Sequence, residues 1–293
     1  MWLSDKIPTM TVKKYLERFA SFKGKKIIIT GATAGIGLSL AKILVSKDAN
    51  IVILARNLKK ANRVKEELLS INSNVKIDII EYDQSDYDLI DSAVKEIKEK
   101  HSDFDVLVAN AGILYPPKRA LSKQNIPLTI DTNFLGLKRF LDQIIPSYKN
   151  KRYIMHGSMV AGTHVKKNID IYSDKYSLFK QYNISKACVE ALWHHYYSLN
   201  KDNEFILAEP GITSSDIFRG FPWFLRVVGK AFVKAFSHSV EKSSLSMLLG
   251  ISEYSKNGDY IVPRGLFTIS GFPKRKSFPN KRKREFLINK VRN

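Results

Sequence analysis

The sequence predicts an α/β fold in which a doubly wound parallel sheet lies between two layers of helices. Short apolar runs alternate with amphipathic helical patterns along most of the chain. The apolar runs are nearly continuous, as in strands that are buried on both faces. The first run leads directly into a glycine-rich turn. Because ligands of such sheets bind beyond the carboxyl ends of the strands, functional residues are expected just after strands.

The first strand is predicted at Ile27–Ile29, followed by the turn Thr30–Gly37 and by a helix beginning near Leu38. Three spaced glycines allow a tight turn and let the backbone approach an anion closely. The free N–H groups and the positive dipole end of the following helix point to the same place. A strand, a glycine turn and a helix in this order predict a phosphate-binding loop.

The later elements alternate regularly and show no internal repeat and no flexible linker before a basic tail. Further strands are predicted at Ile51–Ala55, Lys76–Glu81, Phe104–Ala109, Arg152–His156 and Glu204–Ala208. Helices are predicted at Leu38–Ser46, Leu58–Ser70, Asp86–Lys100, around Ile126–Tyr148 and around Tyr182–Leu199. We therefore divide the chain into an N-terminal amphipathic extension (1–22), a single α/β domain (23–271) and a basic C-terminal tail (272–293).

The composition is that of a globular protein, with 293 residues, 44% hydrophobic and 26% charged. The single cysteine, Cys188, excludes an internal disulfide framework and suits a reducing compartment. The histidines show no metal-ligand spacing, so we expect no metal. Asp5, Lys6 and Pro8 interrupt any signal-peptide pattern, and no apolar run is long enough to span a bilayer. These features favour a cytoplasmic location, with peripheral membrane association left open.

The net charge of the chain is +20, and nine lysines and arginines lie between Phe272 and Asn293 against only Glu285. The tail is thus a concentrated basic patch on a protein that is also basic elsewhere. A solvated tail is the favoured interpretation. Anionic lipid headgroups come second. Nucleic acid comes last, because no nucleic-acid-binding motif accompanies the basic residues.

A tyrosine, a lysine and a serine form a candidate catalytic set. Tyr182 and Lys186 are four residues apart, on one face of a predicted helix. A nearby ammonium lowers the pKa of a phenol, which makes Tyr182 a candidate acid/base. Ser158 follows the strand ending at His156, where its hydroxyl would face the ligand crevice. The residues flanking Ser158 do not match a nucleophile elbow, so we expect it to hydrogen-bond a substrate oxygen.

The region from Lys25 to Thr213 resembles the short-chain dehydrogenase/reductase family, closest in pattern to its retinol- and lipid-type branch. The resemblance is carried, in family order, by Thr30–Gly37, Asn110-Ala111-Gly112, Asn133, Ser158, Tyr182, Lys186 and Pro210-Gly211. It implies a Rossmann-type fold and an oxidoreductase. The segment Thr163–Gln181 is longer than in most members and looks like that of the retinol- and lipid-type branch.

The resemblance also implies roles for individual residues. Tyr182 would be the catalytic acid/base, Lys186 would bind the nicotinamide ribose, Ser158 would hold the substrate oxygen, and Asn133 would anchor a proton-relay water. Asp83 would bond the adenine amino group, and Thr213 would hold the nicotinamide carboxamide. The implied cofactor-binding residues are Thr30, Gly31, Thr33, Gly35, Ile36, Gly37, Asp83, Asn110, Ala111, Gly112, Tyr182, Lys186, Pro210, Gly211 and Thr213.

The residue after the second strand indicates which cofactor is bound. An acidic side chain there would bond the ribose hydroxyls of NAD and repel a 2′-phosphate. The chain instead has Arg56, followed by Lys59 and Lys60 and no carboxylate. Arg56 can pair bidentately with a phosphate. A solvated arginine is the alternative, but the position favours NADP(H) over NAD(H).

In the resembled family a variable segment covers the substrate, and we expect a helical lid near residues 213–240. Phe218–Phe236 is aromatic and aliphatic apart from a basic stripe of Arg226, Lys230 and Lys234. Such a helix could close the pocket or lie in a membrane interface. The lid is favoured, and the two roles are compatible. Either one predicts an apolar pocket and a lipophilic substrate.

The sequence thus predicts an NADP(H)-dependent oxidoreductase that interconverts a carbonyl and an alcohol on a lipophilic substrate. A ketone or aldehyde of steroid, retinoid or lipid type is expected, with reduction as the preferred direction. Alternatives are an NADP(H)-binding sensor, and a membrane-associated adaptor that keeps the fold but little turnover. The family resemblance favours a homodimer or homotetramer.

Overall fold

The computed structural model describes residues 10–114, 119–161, 171–172, 177–213, 239–265 and 268–277. Eight strands form one sheet in the order β3-β2-β1-β4-β5-β6-β7-β8. Seven strands are parallel, and β8 pairs with β7 in the antiparallel sense. From β1 the chain adds β2 and β3 on one side of the sheet, and then β4 and the later strands on the other side. This reversal of strand order between β1 and β4 creates a crevice at their carboxyl ends.

The elements have the following bounds. The strands are β1 Lys26–Thr30, β2 Asn50–Ala55, β3 Ile77–Glu81, β4 Val106–Ala109, β5 Arg152–His156, β6 Glu204–Ala208, β7 Tyr260–Pro263 and β8 Pro273–Lys276. The helices are α1 Val12–Leu16, α2 Gly35–Val45, α3 Leu58–Ile71, α4 Tyr87–Lys100, α5 Leu128–Ile130, α6 Gly136–Ile144, α7 Leu178–Leu199 and α8 Val240–Ile251. A π-helical turn, Asp131–Leu135, joins α5 to α6, and a 3-10 turn, Ile145–Ser147, follows α6.

The predicted three-layer arrangement is confirmed by the two apolar clusters of the core. In β1, Ile28 faces one cluster while Ile27 and Ile29 face the other, because successive strand residues point to opposite faces. Helices α4, α6 and α7 cover the first face, and α1, α2, α3 and α8 cover the second. All four residues of β4 are buried, as expected for a central parallel strand.

Three helices differ from their predicted bounds by more than one residue. Helix α2 begins at Gly35, three residues earlier than predicted, because Ala34 already takes the extended N-cap conformation. The helix predicted around Ile126–Tyr148 is instead four short pieces, since the π-helical turn and the 3-10 turn interrupt it. Helix α7 begins at Leu178, one turn before the predicted start at Tyr182.

The described part of the N-terminal extension packs on the domain. Thr11 caps α1 by accepting a hydrogen bond from the backbone N–H of Lys14 at 3.2 Å. Tyr15 and Phe19 are buried in the second cluster, and their ring centroids are 5.4 Å apart. The extension therefore contributes apolar surface to the core.

The first residues of the expected tail form the edge strand β8, which the sequence analysis did not predict. Pro263 and Pro273 are opposite each other in the β7–β8 ladder, as are Tyr260 and Lys276. Pairing at an edge uses backbone groups and tolerates charged side chains, so hydrophobic patterning does not detect such a strand. The basic residues after Ser277 lie outside the described residues.

Other expectations also fall on residues that are not described. They concern the lid helix Phe218–Phe236, with its basic stripe, and most of the long segment Thr163–Gln181. Within the described ranges, no helix combines the length and the apolar character needed to cross a bilayer.

Candidate functional site

The glycine turn lies at the carboxyl end of β1, beside the crevice. Gly31 has a φ of +70°, which few side chains tolerate. A Cβ on Gly37 would lie 2.5 Å from both the carbonyl oxygen of Gly31 and Nδ2 of Asn110, so only glycine fits there. Thr33 and Ile36 are partly exposed on this turn. Ala34 provides no side-chain cap to α2, so the helix N-terminus is open to an anion.

A hydrogen-bonded link joins the glycine turn to the end of β4. Thr30 Oγ1 accepts hydrogen bonds from the backbone N–H groups of Asn110, at 3.0 Å, and Ala111, at 2.9 Å. Nδ2 of Asn110 donates to the carbonyl oxygens of Thr30 and Gly31 at 3.0 and 3.2 Å. Thr30 and Asn110 thus support the floor of the crevice from β1 and β4, the two strands on either side of the reversal.

Asn133 is buried in the π-helical turn and ties two further segments together. Its Oδ1 accepts from the backbone N–H of Ile113 at 2.8 Å, and its Nδ2 donates to the carbonyl oxygen of Ile113 at 3.0 Å. Nδ2 also donates to Ser185 Oγ on α7, at 3.0 Å. A Cβ on Gly112 would lie 3.1 Å from Asn133 Oδ1 and 4.0 Å from Lys186 Nζ. Gly112, Asn133 and Lys186 are therefore neighbours.

The end of β5 meets helix α7 at Lys186. Lys186 is 5% exposed, and its Nζ donates to the carbonyl oxygen of His156, the last residue of β5, at 2.9 Å. Ser158 lies two residues further along the same segment. Tyr182 is half-buried one helical turn before Lys186, so the two side chains share one face of α7. Ser158 and Lys186 thus both lie near the carboxyl end of β5, and Tyr182 shares the helix face of Lys186.

Three expected cofactor contacts lie at other strand ends. Arg56 follows β2, is exposed, and forms no ion pair within the described ranges. Asp83 follows β3, and its Oδ1 accepts from the backbone N–H and the hydroxyl of Ser85 at 2.9 and 2.7 Å. Thr213 follows β6 and is buried, with its Oγ1 accepting from the hydroxyl of Ser243 at 3.1 Å. Before it, Pro210 is buried and Gly211 has a φ of +76°.

Burial dominates the electrostatics of the site. Burial lowers the pKa of Lys186 to about 8, and the charge of Glu209 acts in the opposite direction. Burial raises the pKa of Glu209 to about 7, against a hydrogen bond from Tyr260 and the charges of Lys276 and Lys186. Burial and the charge of Lys186 hold the pKa of His156 well below its usual value, so His156 is neutral near pH 7.

These residues fit a nicotinamide dinucleotide. The glycine cradle would be filled by a Cβ, and α2 presents N–H groups without a side-chain cap. Arg56 is an exposed cation beyond the second strand. Lys186 offers ammonium protons for a ribose hydroxyl. Across the described segments, no group of three or more metal-ligating side chains comes together.

Sequence reasoning missed Glu209 and the supporting contacts of His156 and Ser185. Glu209 is 1% exposed at the end of β6. One signal was available, because an acid directly follows the apolar run Phe205–Ala208 and precedes Pro210-Gly211. A buried carboxyl at a strand end usually has a partner or a function. The His156 contact uses a backbone carbonyl, so no side-chain pattern indicates it.

Comparisons with known proteins indicate the family of this chain. A family model described as short chain dehydrogenase matches residues 25–220. A chloroplastic short-chain dehydrogenase, TIC 32 B, from Brassica napus is 28% identical over 233 residues, which cover 74% of this chain and 71% of that protein. A human 3-keto-steroid reductase/17-beta-hydroxysteroid dehydrogenase 7 is 34% identical over 115 residues, covering 39% of this chain and 31% of that protein.

A solved structure shares the fold. L-sorbose reductase from Gluconobacter frateurii, complexed with NADPH and L-sorbose, superposes with a TM-score of 0.62. The two sequences are 16% identical, and the superposition covers 80% of this chain and 91% of that one. At this identity the similarity shows the fold alone.

Proposed function

Because the chain belongs to the short-chain dehydrogenase/reductase family, and is therefore an oxidoreductase, we propose that it uses NADP(H) to interconvert a carbonyl and an alcohol on a lipophilic substrate. The observation that carries the proposal is the junction of β5 with α7. There Lys186 donates to the carbonyl oxygen of His156, two residues before Ser158, and shares a helix face with Tyr182. A phenol and a buried ammonium on one helix face suit proton transfer to or from an oxygen.

Each residue of the candidate site would have its own role in the proposed reaction. Ser158 would hydrogen-bond the substrate oxygen and orient the carbonyl. In reduction Tyr182 would donate its proton to that oxygen, and in oxidation it would accept one. Lys186 would stabilise the phenolate that remains and would bind the nicotinamide ribose. Asn133 holds Ile113 and Ser185, and through them the turn beside Lys186. The bound nicotinamide would supply or accept the hydride.

The choice of NADP(H) is supported by Arg56, whose exposed guanidinium lies at the strand end where a 2′-phosphate is expected. A lipophilic substrate is supported by the aromatic and aliphatic composition of Phe218–Phe236. Similarity to a protein named as a steroid reductase also points to this substrate class.

A substrate panel tests the proposal. Purified protein with NADPH or NADP⁺ is mixed with lipophilic ketones, aldehydes and alcohols, and turnover is followed by nicotinamide absorbance. We expect Tyr182→Phe to lose at least about 100-fold in kcat, as for removal of a general acid. Tyr254→Phe is the matched control, since Tyr254 bonds the carbonyl oxygen of Arg18, far along the chain from the site residues. Undiminished turnover in Tyr182→Phe would overturn the mechanism, and cofactor binding without turnover would favour a sensor.

We also propose that the protein associates with anionic membrane surfaces. The proposal is supported by the net charge of +20 and by the basic residues of Phe218–Phe236 and of the C-terminal segment. Sedimentation with anionic vesicles at low salt should bring down the protein, and replacing Lys281, Arg282, Lys283 and Arg284 by glutamine should weaken binding. No sedimentation of the unaltered protein under these conditions would refute the idea.

A further inference from the structure

Glu209 is a buried acid next to the candidate site that none of the proposed catalytic steps uses. Its Oε1 accepts a hydrogen bond from the hydroxyl of Tyr260, while Oε2 is buried without a hydrogen-bond partner among the described residues. A buried carboxylate in this state is costly unless an opposite charge compensates it. When ionised, Glu209 therefore requires a cation nearby.

The position of Glu209 connects it to Lys186. A Cβ on Gly157 would lie 3.1 Å from Cγ of Glu209, so the carboxylate side chain packs against the turn that follows β5. The residue before Gly157 is His156, whose carbonyl oxygen accepts the hydrogen bond from Lys186 Nζ. Glu209 and Lys186 thus approach the same His156–Gly157 segment, one from β6 and the other from α7.

Three other titratable groups near this pair, on β5, β7 and β8, do not replace Glu209. From β5, His156 is neutral near pH 7. From β7, the pKa of Tyr260 is raised by burial and by Glu209, so it stays protonated. From β8, Lys276 acts on Glu209 but has an exposed side chain, and solvent screens exposed charges. Among the described residues, the charge of Glu209 favours the ammonium form of Lys186.

We propose that Glu209 is a positioning residue of the reaction, the buried counter-charge that keeps Lys186 as an ammonium facing Tyr182. The inference rests on the proposed function for its catalytic consequence, but the charge pair is a property of the folded chain. Removing Glu209 would leave Lys186 buried without compensation, and the ammonium form would become less populated near neutral pH. Tyr182 would then lose the charge that stabilises its phenolate.

The pair itself is tested without any substrate, by a double-mutant cycle on thermal unfolding at pH 7.5. Glu209→Gln keeps an oxygen that can accept from Tyr260, and Lys186→Met keeps the length of the side chain. We expect Glu209→Gln to have a less favourable effect on the unfolding midpoint in the unaltered protein than in the Lys186→Met variant. The effects of the two substitutions should not add in the double variant, because it leaves no uncompensated charge. Additive effects would overturn the charge pair.

The catalytic consequence is tested by the pH profile of kcat/KM. We expect the alkaline limb of Glu209→Gln to move to lower pH by about one unit, with kcat/KM at pH 8 falling about tenfold. Glu204→Gln is the matched control, because Glu204 begins the same strand and pairs with Arg152 at the opposite end. Its limb should not move.

If the alkaline limb of the pH profile does not move in Glu209→Gln, the positioning role is overturned, even if the double-mutant cycle shows coupling. If no substrate is turned over by the unaltered protein, the proposed function fails. The unfolding cycle still decides whether Glu209 and Lys186 are paired, so the two failures are distinguishable.

Discussion

Arg56 is the residue on which the proposed preference for NADP(H) depends. It is exposed after β2, and the first turn of α3 carries Lys59 and Lys60 but no acid. The side chain of Asn57 is already engaged as the N-cap of α3, accepting from the backbone N–H of Lys60 at 2.9 Å. The exposed guanidinium of Arg56, the first side chain after the strand, is therefore available for a phosphate, with Lys59 and Lys60 close by.

Replacing Arg56 by aspartate should reverse the cofactor preference. The change removes a charged hydrogen bond worth roughly 1.5–3 kcal/mol and places a carboxylate where it repels a 2′-phosphate. We expect the NADPH:NADH ratio of kcat/KM, or of binding affinity by fluorescence titration, to fall at least about tenfold. Arg63→Asp, at an exposed position of α3, should leave the ratio unchanged. Retained NADPH selectivity in Arg56→Asp would contradict the assignment.

The raised pKa of Glu209 also leads us to expect that the stability of the fold depends on pH. Its pKa is raised to about 7 in the folded protein, against 4.5 for an ordinary carboxyl, so the folded state holds the proton more tightly than the unfolded state. The resulting stabilisation is complete below pH 4.5 and is lost as the pH rises to about 7. The loss is of the order of 3 kcal/mol.

The measurement is the unfolding midpoint between pH 4.5 and 7.5. The midpoint of Glu209→Gln should fall less over this interval than that of the unaltered protein. Lys186, whose pKa is lowered to about 8, titrates above this window, because its stabilisation is present above pH 10.5 and is lost as the pH falls to about 8. Parallel curves for the two proteins would show that Glu209 is not the titrating group.

At the scale of elements, the π-helical turn positions Asn133. A regular helix through Asp131–Leu135 would rotate the side chains relative to the core, whereas the wider turn places Asn133 against Ile113 and Ser185. Both backbone polar groups of Ile113 depend on this single side chain. The turn therefore orders the segment after Asn110-Ala111-Gly112.

Asn133→Ala should lower both stability and activity. It leaves the backbone N–H and carbonyl of Ile113 without their partner, at a cost of about 1–3 kcal/mol for each group that stays buried. We expect a lower unfolding midpoint and a kcat/KM at least about tenfold lower. Ser185→Ala, which removes one of the three partners of Asn133, should have a smaller effect on both. Equal effects of the two substitutions would show that the contact with Ile113 is not the important one.

An element could be predicted where its hydrophobic pattern in the sequence is distinct. The bounds of β5 and β6 coincide with the predicted ones, because each is a nearly continuous apolar run flanked by polar residues. The π-helical turn could not be predicted, since hydrophobic periodicity resolves a 3.6-residue repeat and not a local widening. Helix α8 has three serines within its buried face, and β7 has only four residues, so neither gave a pattern.

Some residues of the candidate site could be predicted from the sequence and others could not. The glycine turn, Tyr182 and Lys186 have residue types and spacings that indicate their chemistry directly. Glu209 and His156 depend on the adjacency of β5 and β6 in the sheet, which is a property of topology. Residues that act through a neighbouring strand are visible only once the strand order is known.

At the scale of the whole molecule, both described ends of the chain lie on one face of the domain. The ring of Tyr15 in α1 is 5.1 Å from the ring of Phe272, just before β8, and the ammonium of Lys242 lies 4.5 Å above the Phe272 ring. The hydroxyl of Tyr254 donates to the carbonyl oxygen of Arg18 at 3.0 Å. The N-terminal extension and the final strand therefore stabilise each other as well as the domain.

The edge strand β8 sets a limit on how far the chain can be shortened. The four residues of β7 are apolar and buried, and β8 covers the outer row of their backbone groups. A chain ending before Phe272 would leave the backbone groups at this edge of β7 unpaired and exposed. Exposed apolar edge strands pair with each other and cause aggregation. We expect that variant to aggregate on light scattering. A chain ending at Ser277 should stay dispersed and should lose only the charges beyond the sheet.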